Sequence, residues 1–220
     1  MEVTSPPQPI RLPLSPAWLV FAALVLFVPV SALLFTRTAA PPLPVLAELP
    51  QFKLTDEHGR SFGRADMDGR VWIADFVFTS CADACPRLTQ KLRSVQDRLV
   101  PLEQGGNIGL LSISVDPERD TPAKLLQYAQ SFGARDGLWH FLTGPQTEVE
   151  RTVVKGFHMA MAKMPLPRDP VDPHLEAFDI MHGEKLVLVD RRGQIRGYYD
   201  ADDADKLLRD ARLLTGGGRG

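Results

Sequence analysis

The sequence predicts an α/β fold, a mixed β-sheet with helices on both faces. Three observations carry that expectation. Residues 71–78 (VWIADFVF) and 108–115 (IGLLSISV) are runs dense in β-branched and aromatic residues, which suits buried strands. Each is followed by a helical pattern, and strands alternating with helices imply parallel pairing. Near the C-terminus, residues 185–189 and 194–199 flank Asp190-Arg191-Arg192-Gly193, which adds an antiparallel hairpin.

Each element has its own justification. Residues 1–15 are rich in proline with one arginine, Arg11, and read as a short unstructured tail. Residues 16–35 (PAWLVFAALVLFVPVSALLF) carry no charge, and roughly 20 residues are what a helix needs to cross a bilayer, so 16–36 is expected to be a transmembrane anchor. Trp18 lies near one end, and Pro29 is tolerable within a membrane helix. A cleaved secretory signal is the alternative, set against by the long apolar stretch and by the two prolines after Ala40. Arg11 and Arg37 flank the segment one apiece, so charge does not decide orientation; a cysteine pair suited to an oxidising compartment favours a cytoplasmic N-terminus and an exported domain. Residues 37–50, with Pro41, Pro42, Pro44 and Pro50, read as a stiff spacer. The folded domain is expected over 51–215, with a glycine tail at 216–220.

Within that domain, glycine turns at His58-Gly59 and Asp68-Gly69 bracket short strand candidates at 52–54 and 60–62, an N-terminal hairpin. Leu88, Leu92, Val95 and Leu99 recur at helical spacing, giving a helix from Pro86 to about 102. Asp120 or Thr121 caps the next helix, with Pro122 at its first position and Gly133 as its stop. Residues 138–143 read as a strand and 146–156 as a helix. Residues 157–164 alternate weakly as an added strand, and the proline-rich 165–178 reads as a long loop of the kind that usually carries function. Ala204, Leu207, Leu208, Ala211 and Leu214 line one side of a final helix. A cysteine motif between strand and helix in this order of elements is the thioredoxin-like arrangement.

Cys81 and Cys85, the only cysteines, follow the first central strand at the mouth of a helix. Unpaired N–H groups and the helix dipole there favour a thiolate, so a lowered pKa is expected. Two functional readings follow, a reversible disulfide or a two-thiolate metal site, with a plain structural disulfide as the third. Three residues separate the cysteines, where the usual redox signature has two. Two thiolates are too few for a metal, so a third donor is needed. Of the five histidines, His58 reads as solvated, His140 as a strand residue, and His158 and His174 have no assigned role; His182, before a strand and after the long loop, is the candidate. Asp116 lies at a strand end with either a capping or a site-adjacent role, and Met159, Met161, Met164 and Met181 read as gap-filling residues, with Met181 beside His182 as the sharper copper-relay idea.

The segments FVFTSCADACP, SVDPERDTP and MHGEKLVLVDRRGQIRGYY resemble, in order, the landmarks of the Sco/SenC family of membrane-anchored, thioredoxin-like copper proteins. The resemblance runs from about residue 52 to 214. It implies one copper, Cu(I) or Cu(II), held by Cys81, Cys85 and His182, and a role in assembling the copper site of a cytochrome c oxidase subunit. Many members have an aspartate before that histidine; here the position is Met181 and the nearest aspartate is Asp179. Two thiolates and an imidazole suit Cu(I), whereas a structural zinc site wants a fourth protein ligand. The implied partners are a copper-accepting oxidase subunit, an upstream copper donor and the membrane.

A net charge of -2 offers no basic footprint, which excludes nucleic acid as the expected partner. The rival functions are a membrane-anchored thiol–disulfide oxidoreductase using Cys81 and Cys85 as a catalytic pair, a peroxidase of the same fold, and a copper or redox sensor. The metallochaperone reading makes the chain a non-enzyme, although a thiol reductase activity would sit on the same two cysteines.

Overall fold

The computed structural model describes residues 42–81, 84–99, 107–165, 178–181 and 185–216, with backbone alone for 162–165 and 178–181. Strand β1 is Ala47–Glu48, β2 is Lys53–Asp56, β3 is Ser61–Gly63 and β4 is Val71–Val77. Helix α1 (Ala84–Leu99), β5 (Ile108–Ser114), α2 (Pro122–Ser131) and β6 (Trp139–Thr143) follow. Helix α3 (Gln146–Glu150) runs into a π-helical turn over Arg151–Gly156; then come β7 (Ala162–Pro165), β8 (Phe178–Met181), β9 (Lys185–Val189), β10 (Gln194–Asp200) and α4 (Ala204–Gly216).

Eight strands form one sheet in the order β1-β10-β9-β4-β5-β6-β2-β3. Strands β4, β5 and β6 are parallel, and β9 joins β4 antiparallel. The mixed sheet expected from the sequence is therefore present. Alternation along the central strands sorts their side chains between two cores. Val71, Ile73, Leu110, Trp139, Phe141, Leu186 and Leu188 face one side and meet Leu88, Leu92, Val95 and Leu99 of α1, Leu125 and Ala129 of α2, and Leu207, Leu208 and Ala211 of α4. Trp72, Ala74, Phe76, Leu111, Ile113, Val187 and Val189 face the other and meet Val149, Val153 and Phe157. Gly109, near the start of β5, lies where an added Cβ would stand 2.4 Å from the Trp72 ring.

Local chemistry sets the ends. Thr121 caps α2, its Oγ1 accepting from the Lys124 N–H at 3.3 Å, with Pro122 in the first turn. Gly133 ends that helix at φ 63°, a left-handed conformation natural to glycine. The β2–β3 hairpin closes through Asp56, whose Oδ1 accepts from the N–H groups of His58 (3.0 Å) and Arg60 (2.7 Å) while Oδ2 takes the Arg60 Nε (2.8 Å).

The structure departs from the sequence expectations in three places. The segment read as a spacer to residue 50 contributes to the body: the Leu46 and Leu49 N–H groups donate to Ile195 and Gly193, β1 pairs with β10, and Leu49 is buried. The added strand narrows to β7, and it pairs with β8 in a separate two-stranded sheet, taking Phe178 out of the expected loop. The expected 146–156 helix is split, with its second half π-helical. The anchor at 16–36, the loop at 166–177 and the glycine tail after 216 lie outside the described residues. No helix among the described residues is long and apolar enough to cross a membrane.

Candidate metal centre

The carboxyl end of β4 delivers the cysteines. After Val77 the chain turns, the Cys81 N–H donating to the Phe78 carbonyl at 3.2 Å, and α1 begins at Ala84. Pro86 sits in the first helical turn, where its missing N–H costs nothing. Cys85 falls inside that turn and is fully buried, while Cys81 precedes the helix and is half-buried. The two are unbridged, and the Cys85 N–H donates to Cys81 Sγ at 3.2 Å. One thiol is thus open to a partner and the other sits beneath it.

The turn that carries Cys81 is held from below by Asp120. Its carboxylate, fully buried, accepts from the Thr79 N–H at 3.1 Å, from Thr79 Oγ1 at 2.5 Å, and from Ser114 Oγ at 2.6 Å. These bonds tie the residues before Cys81 to the end of β5. Sequence reasoning offered Asp120 only as a helix cap; the cap is Thr121, and Asp120 braces the thiol turn.

A second buried carboxyl, Asp75, was missed in the sequence because it lies inside an otherwise apolar strand. It is fully buried on β4, accepts from Ser112 Oγ, and Ser112 Oγ accepts in turn from Trp139 Nε1 at 2.9 Å. Burial raises its pKa to about 7, the hydrogen bond from Ser112 opposing. Burial also pushes the Cys85 thiol well up; a backbone hydrogen bond with Phe78 opposes this, and Cys81 and Asp75 add to the rise. The lowered pKa expected at the helix mouth does not hold at Cys85, because desolvation outweighs the helix dipole. Tyr128 of α2, bonded to Thr89 at 2.8 Å, is raised first by burial and also by Asp75, Cys85 and Cys81. Asp75, Cys81, Cys85 and Tyr128 therefore act on one another electrostatically.

Asp116 is fully buried at the end of β5, its N–H bonded to Ser114 Oγ and its Oδ2 3.6 Å from Arg119 Nε. Its carbonyl accepts from Arg119 and Asp120, so it shapes the turn. Among the described residues, no histidine or carboxylate closes on both thiols to form a donor cluster. His182 lies outside the described residues, as does His174, and Met181 is described by backbone alone, paired with Ala162 in the β7–β8 sheet. Met159 is buried in the core and Met161 packs against it, as gap-filling residues do. His140 lies on β6 and His58 in the β2–β3 turn, and His158 is exposed with a φ of 54°.

The profile of the SCO1/SenC family matches residues 44–213. The chain belongs to this family. A SCO1 homologue of Bacillus subtilis is 32% identical over 158 residues, 71% of this chain and 80% of the relative. The crystal structure of yeast Sco1 with copper bound matches with a TM-score of 0.61 at 26% identity, covering 76% of this chain and 89% of that one. BsSco, described with a disulfide switch and as a member of the Sco family of cytochrome c oxidase assembly proteins, matches with a TM-score of 0.65 at 25% identity, over 81% of this chain and 99% of that one. The thioredoxin-like Sco fold is thereby shared along nearly the whole described body.

Proposed function

We propose that this Sco-family chain binds one copper ion through Cys81, Cys85 and His182 and passes it to the copper site of a respiratory oxidase during assembly. The observation that carries this reading is the pair of unbridged cysteines, one half-open and one buried, at the carboxyl end of β4, in a chain whose family includes copper-bound and oxidase-assembly members. The donor chemistry fits. Two soft sulfurs at the start of α1, one just before the helix and one in its first turn, suit Cu(I), and a histidine from outside the described residues completes a three-donor set. Copper here is cargo. An open thiol lets an acceptor's ligands enter one at a time, and the buried thiol gives the site its last hold.

The raised Cys85 thiol also bears on the alternative, a thiol–disulfide oxidoreductase. A buried thiol that holds its proton is a poor attacking group, which leaves Cys81 as the one accessible sulfur. The disulfide switch described for BsSco keeps the reading in play. Residues 16–36 anchor the chain in the proposal, with the N-terminus cytoplasmic and the domain on the extracytoplasmic side.

Visible spectra of the copper-loaded chain test the site. A thiolate-to-copper charge-transfer band lost or strongly displaced in His182→Ala is expected. Full oxidase assembly in cells with His182→Ala, together with an unchanged band, favours the oxidoreductase and sinks the three-donor site.

A further inference from the structure

A second donor cluster lies at the other end of the sheet. Strands β4, β5 and β6 run parallel, with the cysteines beyond the carboxyl end of β4. Glu57 and His58 stand in the β2–β3 turn and Asp136 in the turn ahead of β6, at its amino end. One donor atom from each of the three lies within 4.8 Å of the other two. Glu57 Oε1 is 3.5 Å from His58 Nε2, and His58 Nε2 is 3.1 Å from Asp136 Oδ1. Donors around a tetrahedral zinc with bonds of about 2.1 Å stand about 3.4 Å apart. The two separations through His58 Nε2 lie close to that value.

Glu57 is built for one orientation. Its side chain is 3% exposed, and Oε2 accepts from the Phe141 N–H at 2.8 Å, which turns Oε1 toward the imidazoles. His140 Nδ1 stands 3.8 Å from that same oxygen and is buried with no hydrogen-bond partner. A buried carboxylate oxygen and a buried ring nitrogen thus face each other too far apart to bond. An ion pair of protonated His58 with Glu57 and Asp136 sets one positive charge against two carboxylates, one of them buried. A cation on Oε1 neutralises the buried charge. The cluster opens on a cleft of about 240 Å³ lined also by Leu126, Ala129 and Gln130 of α2, which gives an ion a way in and a position for water.

We infer that Glu57, His58 and Asp136 form a binding site for a divalent borderline cation, Zn²⁺ in the first instance, distinct from the thiol site. One imidazole and two carboxylates select Zn²⁺ over Cu(I), which prefers sulfur. The two ends of the sheet therefore sort metals by softness. The bound ion cross-links the β2–β3 turn to the turn before β6 and stiffens that edge of the sheet. This inference is independent of the copper reading.

The test uses the full chain in detergent with Cys81→Ser and Cys85→Ser, so that thiols do not compete. Calorimetric titration with Zn²⁺ is expected to give one saturable site, weakened at least tenfold by His58→Ala and by Asp136→Asn. Both residues are on the surface, and circular dichroism checks that the variants fold. Zn²⁺ is also expected to raise the melting temperature of the parent and not of His58→Ala. Absence of saturable binding below millimolar Zn²⁺, or binding in both variants as strong as in the parent, overturns the site, the second outcome placing zinc on other residues.

Discussion

At the scale of the residue, Cys85 and Cys81 are unlike although only four positions separate them. Burial holds the proton on Cys85, so copper binding must release it. Affinity for Cu(I) is therefore expected to rise about tenfold per pH unit around neutrality for each proton displaced, measured by competition with a chelator of known affinity. A flat profile would mean that Cys85 does not ligate. Asp75 makes a second prediction. Its carboxyl titrates near 7 in the folded chain, well above the ordinary carboxylate value of 3.8. Between those two pH values the folded state holds a proton that the unfolded state has lost, so stability falls as pH rises from about 4 to 7. Asp75→Asn can still accept from Ser112 and is expected to flatten that fall and to stabilise the domain at pH 8, by a few kcal/mol at most. Denaturant unfolding across pH decides it. A wild-type profile parallel to the variant's removes Asp75 as the cause.

At the scale of the element, the turn from β4 into α1 is fixed by Asp120 rather than by its own hydrogen bonds alone. Asp120→Ala leaves the Thr79 N–H, Thr79 Oγ1 and Ser114 Oγ without their acceptor. A loss of about 2–4 kcal/mol is expected in chemical denaturation, together with weaker copper binding because Cys81 is no longer held. Unchanged stability would show that the brace is dispensable. Such a contact was not legible in the sequence, since a residue at a strand end reads equally well as a cap. The same holds for Asp75, hidden in a run whose period announced only a strand, and for Gly109, whose reason is the Trp72 ring of the next strand. The elements themselves were legible where hydrophobic spacing is local, as in β4, α1, β5, α2 and the β9–β10 hairpin. Strand β1, strand β8 and its pairing with β7 were not, because a two- or four-residue strand is defined by its distant partner.

At the scale of the molecule, one sheet separates two chemistries, thiols beyond the carboxyl end of β4 and the Glu57 cluster at the amino end of β6. Both cysteines could be named from the sequence because they are its only two; their inequality could not, since it depends on what α1 buries. The cluster of Glu57, His58 and Asp136 escaped notice for the opposite reason, its members being ordinary turn residues until the hairpin folds against β6. The apolar 16–36 segment predicts that the full chain stays with the membrane through carbonate extraction, while a chain lacking residues 1–42 is released; release of both would remove the anchor. The central claim is the copper site, and stoichiometry tests it most directly. Reduced chain dialysed against Cu(I) and analysed for metal should hold one copper, and Cys81→Ser with Cys85→Ser should hold none under the same conditions. An equal copper content in the two proteins would contradict the account.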